Sequence, residues 1–141
     1  MKQAMPNHEP DFRTVSVWLG AFESETRLDR FFEETYDEED EDAPISEFAH
    51  SQEQVFYDHD FIERGFNQSA QTVQQLLTGH SFSRSFVDVL TAAAGESLPA
   101  GTNSVVLVWG RVIRVPRSVA GLGHELQFIG TFPCDPRADA I

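Results

Sequence analysis

Few residues in this 141-residue chain have the types and spacing for chemistry. Asp58-His59-Asp60 sets an imidazole between two carboxylates, the makings of a general base or a metal ligand set. Adjacent side chains diverge, however: to opposite faces on a strand, and by roughly 100° on a helix. A metal needs converging ligands, His50 and His80 are the only nearby candidates, and no HxxxH or HExxH spacing occurs. A histidine among surface acids, or one bonded to an Asp, is the simpler reading. Gly79-His80-Ser81-Phe82-Ser83 invites comparison with a nucleophilic serine turn. That elbow needs Gly at its fifth position and a strand before it. Here Ser83 occupies the fifth position and a helical pattern precedes, so Ser81 and Ser83 read better as helix caps. A hydrolase using Asp58, His59 and Asp60, or His80 and Ser81, is therefore the alternative reading, not the leading one.

The acidic run does not make a calcium loop. Asp40 and Asp42 alternate correctly, but Pro44 follows and the required Gly is missing. Phosphate loops and dinucleotide fingerprints are absent. Arg111, Arg114 and Arg117 cluster, either to neutralise acids internally or to hold an anion. No catalytic set, metal or cofactor is expected.

Charge is the more informative feature. The chain carries 23 Asp and Glu against 10 Lys and Arg, a net charge of −13. Sixteen of those acids lie between Glu23 and Glu63, with only Arg27 and Arg30 to offset them. A surface of this sign repels phosphate backbones and anionic membranes, so neither is an expected direct partner. It attracts basic proteins and speeds their association. Twelve Phe and 40% hydrophobic residues are enough to fill a core, which excludes global disorder. Cys134 is the only cysteine, so no intrachain disulfide is available. The N-terminal residues lack the apolar run of a signal peptide and no stretch reaches membrane-span length, so a cytoplasmic protein is expected.

The elements that must position these residues follow from periodicity. Residues 1–12, polar with two prolines, read as a flexible leader; 13–133 as one domain; and 134–141 as a polar tail. Val15-Ser16-Val17-Trp18-Leu19-Gly20 alternates as a strand. Ser24 can cap a helix whose apolar face is Leu28, Phe31 and Phe32. Eight of the ten residues 33–42 are acidic, which predicts a solvated loop ended by Pro44. Ile45, Phe48 and Ala49 fit a short helical turn. The period leaves residues 55–63 open between helix and strand. Ser69 is the expected cap of a helix carrying Val73, Leu76 and Leu77, with Gly79 left-handed beyond its end. Phe82, Phe86, Val89, Leu90 and Ala93 are the expected buried face of the next helix, stopped by Gly95. Ser104–Trp109 is apolar enough for a strand covered on both sides. Residues 111–115 either extend it or begin the return. Residues 126–132 form a last strand, expected to pair with 104–110 as a long hairpin. The order strand, helices, strand, strand predicts an α+β fold, a small, largely antiparallel sheet with its helices packed on one face.

Several segments in this order resemble the immunity protein 22 family. They are Val15–Gly20, the YDEEDEDAPISEFA stretch from Tyr36 to Ala49, Phe56–Glu63, Leu76–Ser83, Asn103–Gly110, Pro116–Val119 and Ile129–Phe132. Together they span Val15 to Phe132, and their joint order carries the resemblance. It implies an α+β, non-enzymatic immunity protein of bacterial polymorphic toxin systems, one that binds and neutralises a cognate toxin. It supplies no catalytic or contact residues. From the residues themselves, the acidic loop Asp37, Glu38, Glu39, Asp40, Glu41 and Asp42, with Asp58 and Asp60, is the candidate partner surface. Trp18, Tyr36, Phe56 and Tyr57 are its candidate apolar anchors. A basic nuclease toxin is a candidate partner, with the acidic surface taking the place of its substrate. A general acidic interaction module is the third possibility.

Overall fold

The computed structural model describes residues 11–141. Five strands form one sheet: β1 (Thr14–Phe22), β2 (Ile62–Phe66), β3 (Ser104–Trp109), β4 (Val119–Gly121) and β5 (His124–Pro133). Their spatial order is β2-β3-β1-β5-β4, and every neighbouring pair is antiparallel. Four helices accompany them: α1 (Glu25–Phe32), α2 (Glu47–Ser51), α3 (Val73–Leu77) and α4 (Val87–Ala94). The expected α+β class and antiparallel sheet stand.

Alternation along the two central strands builds two cores. On β1, Val15, Val17 and Leu19 point to one face while Trp18 and Phe22 point to the other. On β3, Val105, Leu107 and Trp109 oppose Val106 and Val108 in the same way. Both strands are buried on both sides, so each face needs a cover. Helices α1 and α2 cover the Trp18 face with Leu28, Phe31, Phe32, Phe48 and Ala49. Helices α3 and α4 cover the Val17 face with Val73, Leu76, Leu77 and Leu90. The expectation of helices on one face is thereby corrected. A sheet apolar on both surfaces would leave one wet if its helices gathered on the other.

The hairpin expected between 104–110 and 126–132 does not form. Strand β1 lies between them, pairing Val17 with Leu107 on one side and with Gly130 on the other. A register shift at Val17/Trp18 marks a bulge against β5. Residues 111–115 neither extend β3 nor form a return strand. Gly110 takes a left-handed φ of 69° and turns the chain out of the sheet there.

Caps explain most helix starts. Ser24 and Ser46 each accept a 3.0 Å bond from the backbone N–H three residues on. Thr72 rather than Ser69 caps α3, accepting from Gln75 at 3.1 Å. Neither Ser81 nor Ser83 caps α4, which begins at Phe86 without a side-chain bond. Phe86 and Leu90 are buried as expected, but Val89 is exposed. Residues 55–63 resolve into irregular chain, a 3₁₀ turn at His59–Phe61 and the start of β2.

The ends of the domain are tied down where they can be seen. Most of the expected leader lies outside the described residues. Phe12, at its end, packs 5.0 Å from Phe61 and 5.7 Å from Trp109, ring centre to ring centre. Residues 134–141 fold back onto the α3–α4 corner. Gly79 N–H donates to the Ile141 carbonyl at 3.0 Å, Ile141 N–H to Ser83 Oγ at 3.0 Å, and Arg84 N–H to the Asp139 carbonyl at 3.0 Å.

Candidate partner-binding surface

The acidic loop is built on a ladder of irregular chain. Thr35 N–H donates to the Ile45 carbonyl at 2.7 Å, and Ile45 N–H donates to the Val55 carbonyl at 3.0 Å. Ile45 thus ties the base of the loop to both segment 35 and segment 55. Between 35 and 45 the carboxylates shape their own turns. Asp37 accepts from Glu39 N–H at 2.9 Å, and Asp40 from Asp42 N–H at 3.0 Å. Asp37, Glu38, Glu39, Asp40, Glu41 and Asp42 are all exposed. None of the six forms an ion pair among the described residues. Other acids nearby are neutralised: Glu47 by Arg27 at 2.9 Å, Asp29 by Arg64 at 3.4 Å, and Glu53 by Arg117.

The candidate anchors separate into two groups. Tyr36 and Phe56 are 63% and 59% exposed and border the acids. Trp18 and Tyr57 are interior, at 0% and 3% exposure, and leave the candidate surface. Trp18 meets Phe48 and Phe128, and its indole N–H donates to the Arg117 carbonyl at 3.0 Å. The Tyr57 hydroxyl lies 2.7 Å from that of Ser46, and burial pushes its pKa up. Each aromatic has an internal polar partner, which for Tyr57 the neighbouring Asp58 and Asp60 disguised in the sequence.

Glu34 gathers the loop margin. Its Oε1 accepts the Tyr36 hydroxyl at 2.6 Å and lies 3.3 Å from His59 Nδ1. That bond holds the Tyr36 phenol above its ordinary pKa. Asp58 is occupied in capping the 3₁₀ turn, accepting from Asp60 N–H at 2.9 Å. Asp60 lies 3.5 Å from His59 Nε2. Among the described residues no group of three or more His, Cys, Asp and Glu side chains is placed to hold a metal ion.

His80 and Ser81 do meet a carboxylate, but not as a relay. Glu63 accepts from His80 Nδ1 at 2.6 Å, from Ser81 N–H at 3.0 Å and from the Ser81 hydroxyl at 2.8 Å. Nucleophile activation needs the hydroxyl bonded to the base; here imidazole and hydroxyl both converge on Glu63. Burial pushes the Glu63 carboxyl up, yet the three bonds outweigh it and hold its pKa below the ordinary value. The imidazole fills the space above Gly65, where a Cβ would sit 2.3 Å from its Nε2. This cluster clasps the edge strand β2 to the α3–α4 turn.

Sequence reasoning missed a second clamp. Gln52, only 2% exposed, accepts from Arg117 N–H at 2.8 Å and donates to the Arg117 carbonyl at 3.1 Å. Gln54 accepts from Arg114 N–H at 3.0 Å and donates to the Val112 carbonyl. Glu53 between them takes a left-handed φ of 55° and meets the Arg117 guanidinium. The only sequence hint was the Arg cluster at 111, 114 and 117, of which Arg117 alone is neutralised.

A family model described as immunity protein 22 matches residues 15–135. The chain belongs to the immunity protein 22 family. Neither the curated proteins nor the solved structures yield a match. Membership in this family points to toxin neutralisation by a non-enzymatic inhibitor. The immunity protein 22 match runs from β1 through β5, and so takes in the acidic loop and both clamps. No helix among the described residues is long and apolar enough to cross a membrane.

Proposed function

We propose that this chain neutralises a cognate protein toxin of a polymorphic toxin system by seating its acidic loop on a basic face of that toxin. The observation that carries the reading is the row of six exposed carboxylates from Asp37 to Asp42, without an ion pair among the described residues, in a member of an immunity family. Like charges held together at a surface lower its stability unless something else uses them, and a basic partner does. Tyr36 and Phe56 supply the apolar contact that charge alone lacks, with Asp58 and Asp60 at the margin. A stable complex buries about 800 Å² on each partner, more than the loop alone provides. A nuclease is the toxin class with the best reason to carry such a face, since it must grip phosphates. Inhibition would then be stoichiometric and cytoplasmic, with no catalysis, cofactor or nucleic-acid contact by this chain.

The test is co-expression with the toxin domain encoded by the neighbouring gene. The wild-type chain should restore growth, and association of the purified pair should slow steeply as salt rises. Growth arrest despite well-folded inhibitor would overturn the reading. Association indifferent to ionic strength would remove the electrostatic part of it.

A further inference from the structure

The acidic loop is one flank of a larger face whose other flank has the opposite sign. Ile45 joins two other segments, accepting from Thr35 N–H and donating to the Val55 carbonyl. Next to Val55, the Gln54 side chain bonds to Val112 and Arg114. The base of the acidic loop is thus linked to residues 112–115 through Ile45, Val55 and Gln54. A standard interface patch of about 800 Å² is about 30 Å across, wide enough to take in segments joined in this way.

What the far flank displays is specific. Arg111 and Arg114 are exposed and have no acidic partner among the described residues. Val115 is 62% exposed beside them. On the connecting segment stand Val55 and Phe56, 38% and 59% exposed. An apolar centre with a charged rim is the anatomy of a protein interface.

The Arg flank is held in place as a platform is. Its loop has no ladder partner in the sheet, yet Gln52, Gln54, Glu53 and Trp18 bind its backbone and Arg117, and Ile113 is buried beneath it. Glu53 keeps a left-handed backbone in the middle of that clamp, a strain that the surrounding contacts must offset. A loop fixed in this way presents its exposed side chains without a backbone ordering cost on binding.

We propose that the two flanks form a single docking face of opposite polarity, and that the toxin surface it fits carries a basic cluster and an acidic cluster on either side of an apolar socket for Phe56. This rests on the toxin-binding reading and narrows it. A uniformly basic groove would be repelled by Arg111 and Arg114. A partner with its own carboxylates opposite them is held in one orientation, and like-charge mismatch rejects others.

The experiment uses the full chain and an inactivated form of the toxin domain from the neighbouring gene, with association and dissociation rates measured for each variant. R111E/R114E should weaken binding about ten-fold or more, the scale of like-charge juxtaposition at an interface. R111Q/R114Q should fall between it and wild type. F56A should raise the dissociation rate about ten-fold, as loss of a central aromatic does. All three substitutions lie on exposed side chains, and unchanged melting curves would confirm that the fold is intact. Unchanged or tighter binding by R111E/R114E, with wild type binding normally, would overturn the opposite-polarity face and leave the toxin reading standing. Failure of the wild-type chain to bind would overturn the toxin reading and this inference with it.

Discussion

The two faces of the sheet are covered in different ways. The Val17 face is aliphatic for the most part and lies under α3, α4 and the returning residues 134–141. The Trp18 face is aromatic, and much of its cover is irregular chain, residues 33–61 and 110–118 around two short helices. Phe31, Phe32, Phe48 and Tyr57 interlock there at centroid distances of 4.7–6.1 Å. Large rings bury much area per residue, so a few of them can hold a face that regular structure does not close. The irregular chain is then free to carry unneutralised charge outward. With the proposed docking face, scaffold and display fall on opposite sides of one sheet, as expected when binding residues sit on loops over a rigid support.

This contrast can be broken at several points, in descending order of effect. Trp18→Ala should destabilise the domain by about 3–5 kcal/mol, because it empties the centre of the aromatic face and removes one of the two donors to the Arg117 carbonyl. Chemical denaturation measures it, and a loss under 1 kcal/mol would mean that the irregular cover can collapse inward. Gln52→Ala should cost about 1–3 kcal/mol, since the Arg117 N–H loses its partner and the Arg117 carbonyl keeps only the Trp18 indole. Hydrogen exchange should rise in 112–118 and stay unchanged in α3 and α4.

Glu63→Gln tests the other face and should cost about 1 kcal/mol at neutral pH. Its carboxyl is held below the ordinary value when folded, so its contribution is full above the unfolded pKa. It is lost as pH falls through the lower folded value. The gap between wild type and E63Q should therefore narrow in acid; a gap that widens would contradict the clasp. Last, D40N/E41Q/D42N should shift stability by less than about 0.5 kcal/mol, because these residues bury almost nothing. Thermal melts would show it. Unfolding instead would make the loop a structural element and remove the division between the faces.

Much of the scaffold was legible in the sequence because local patterns encode it. Alternation marked β1, an unbroken apolar run marked β3, and Ser24 with Leu28, Phe31 and Phe32 marked α1. Strand neighbours were not legible, since the apolar runs of β3 and β5 each fit beside any buried strand. That is how β1 came to sit between them unforeseen. The acidic loop was legible as charge, but its anchors were half so. Tyr57 lies among acids in the chain yet turns inward to Ser46, an interaction across sequence that no local pattern records. The Gln52 and Gln54 clamp was invisible for the same reason, because a glutamine that reads backbone more than fifty residues away looks like any surface polar residue.

Each core holds one tryptophan, Trp18 on the aromatic face and Trp109 on the other. The chain therefore carries a separate optical reporter for each side of its sheet. With W109F, emission comes from Trp18 alone, whose indole is bonded to the backbone of the loop that displays Arg114 and Val115. With W18F it comes from Trp109, near the buried Cys134. Engagement of the charged face should change the emission of the first variant and leave that of the second unchanged, so paired titrations of the two variants would locate the bound partner without any label.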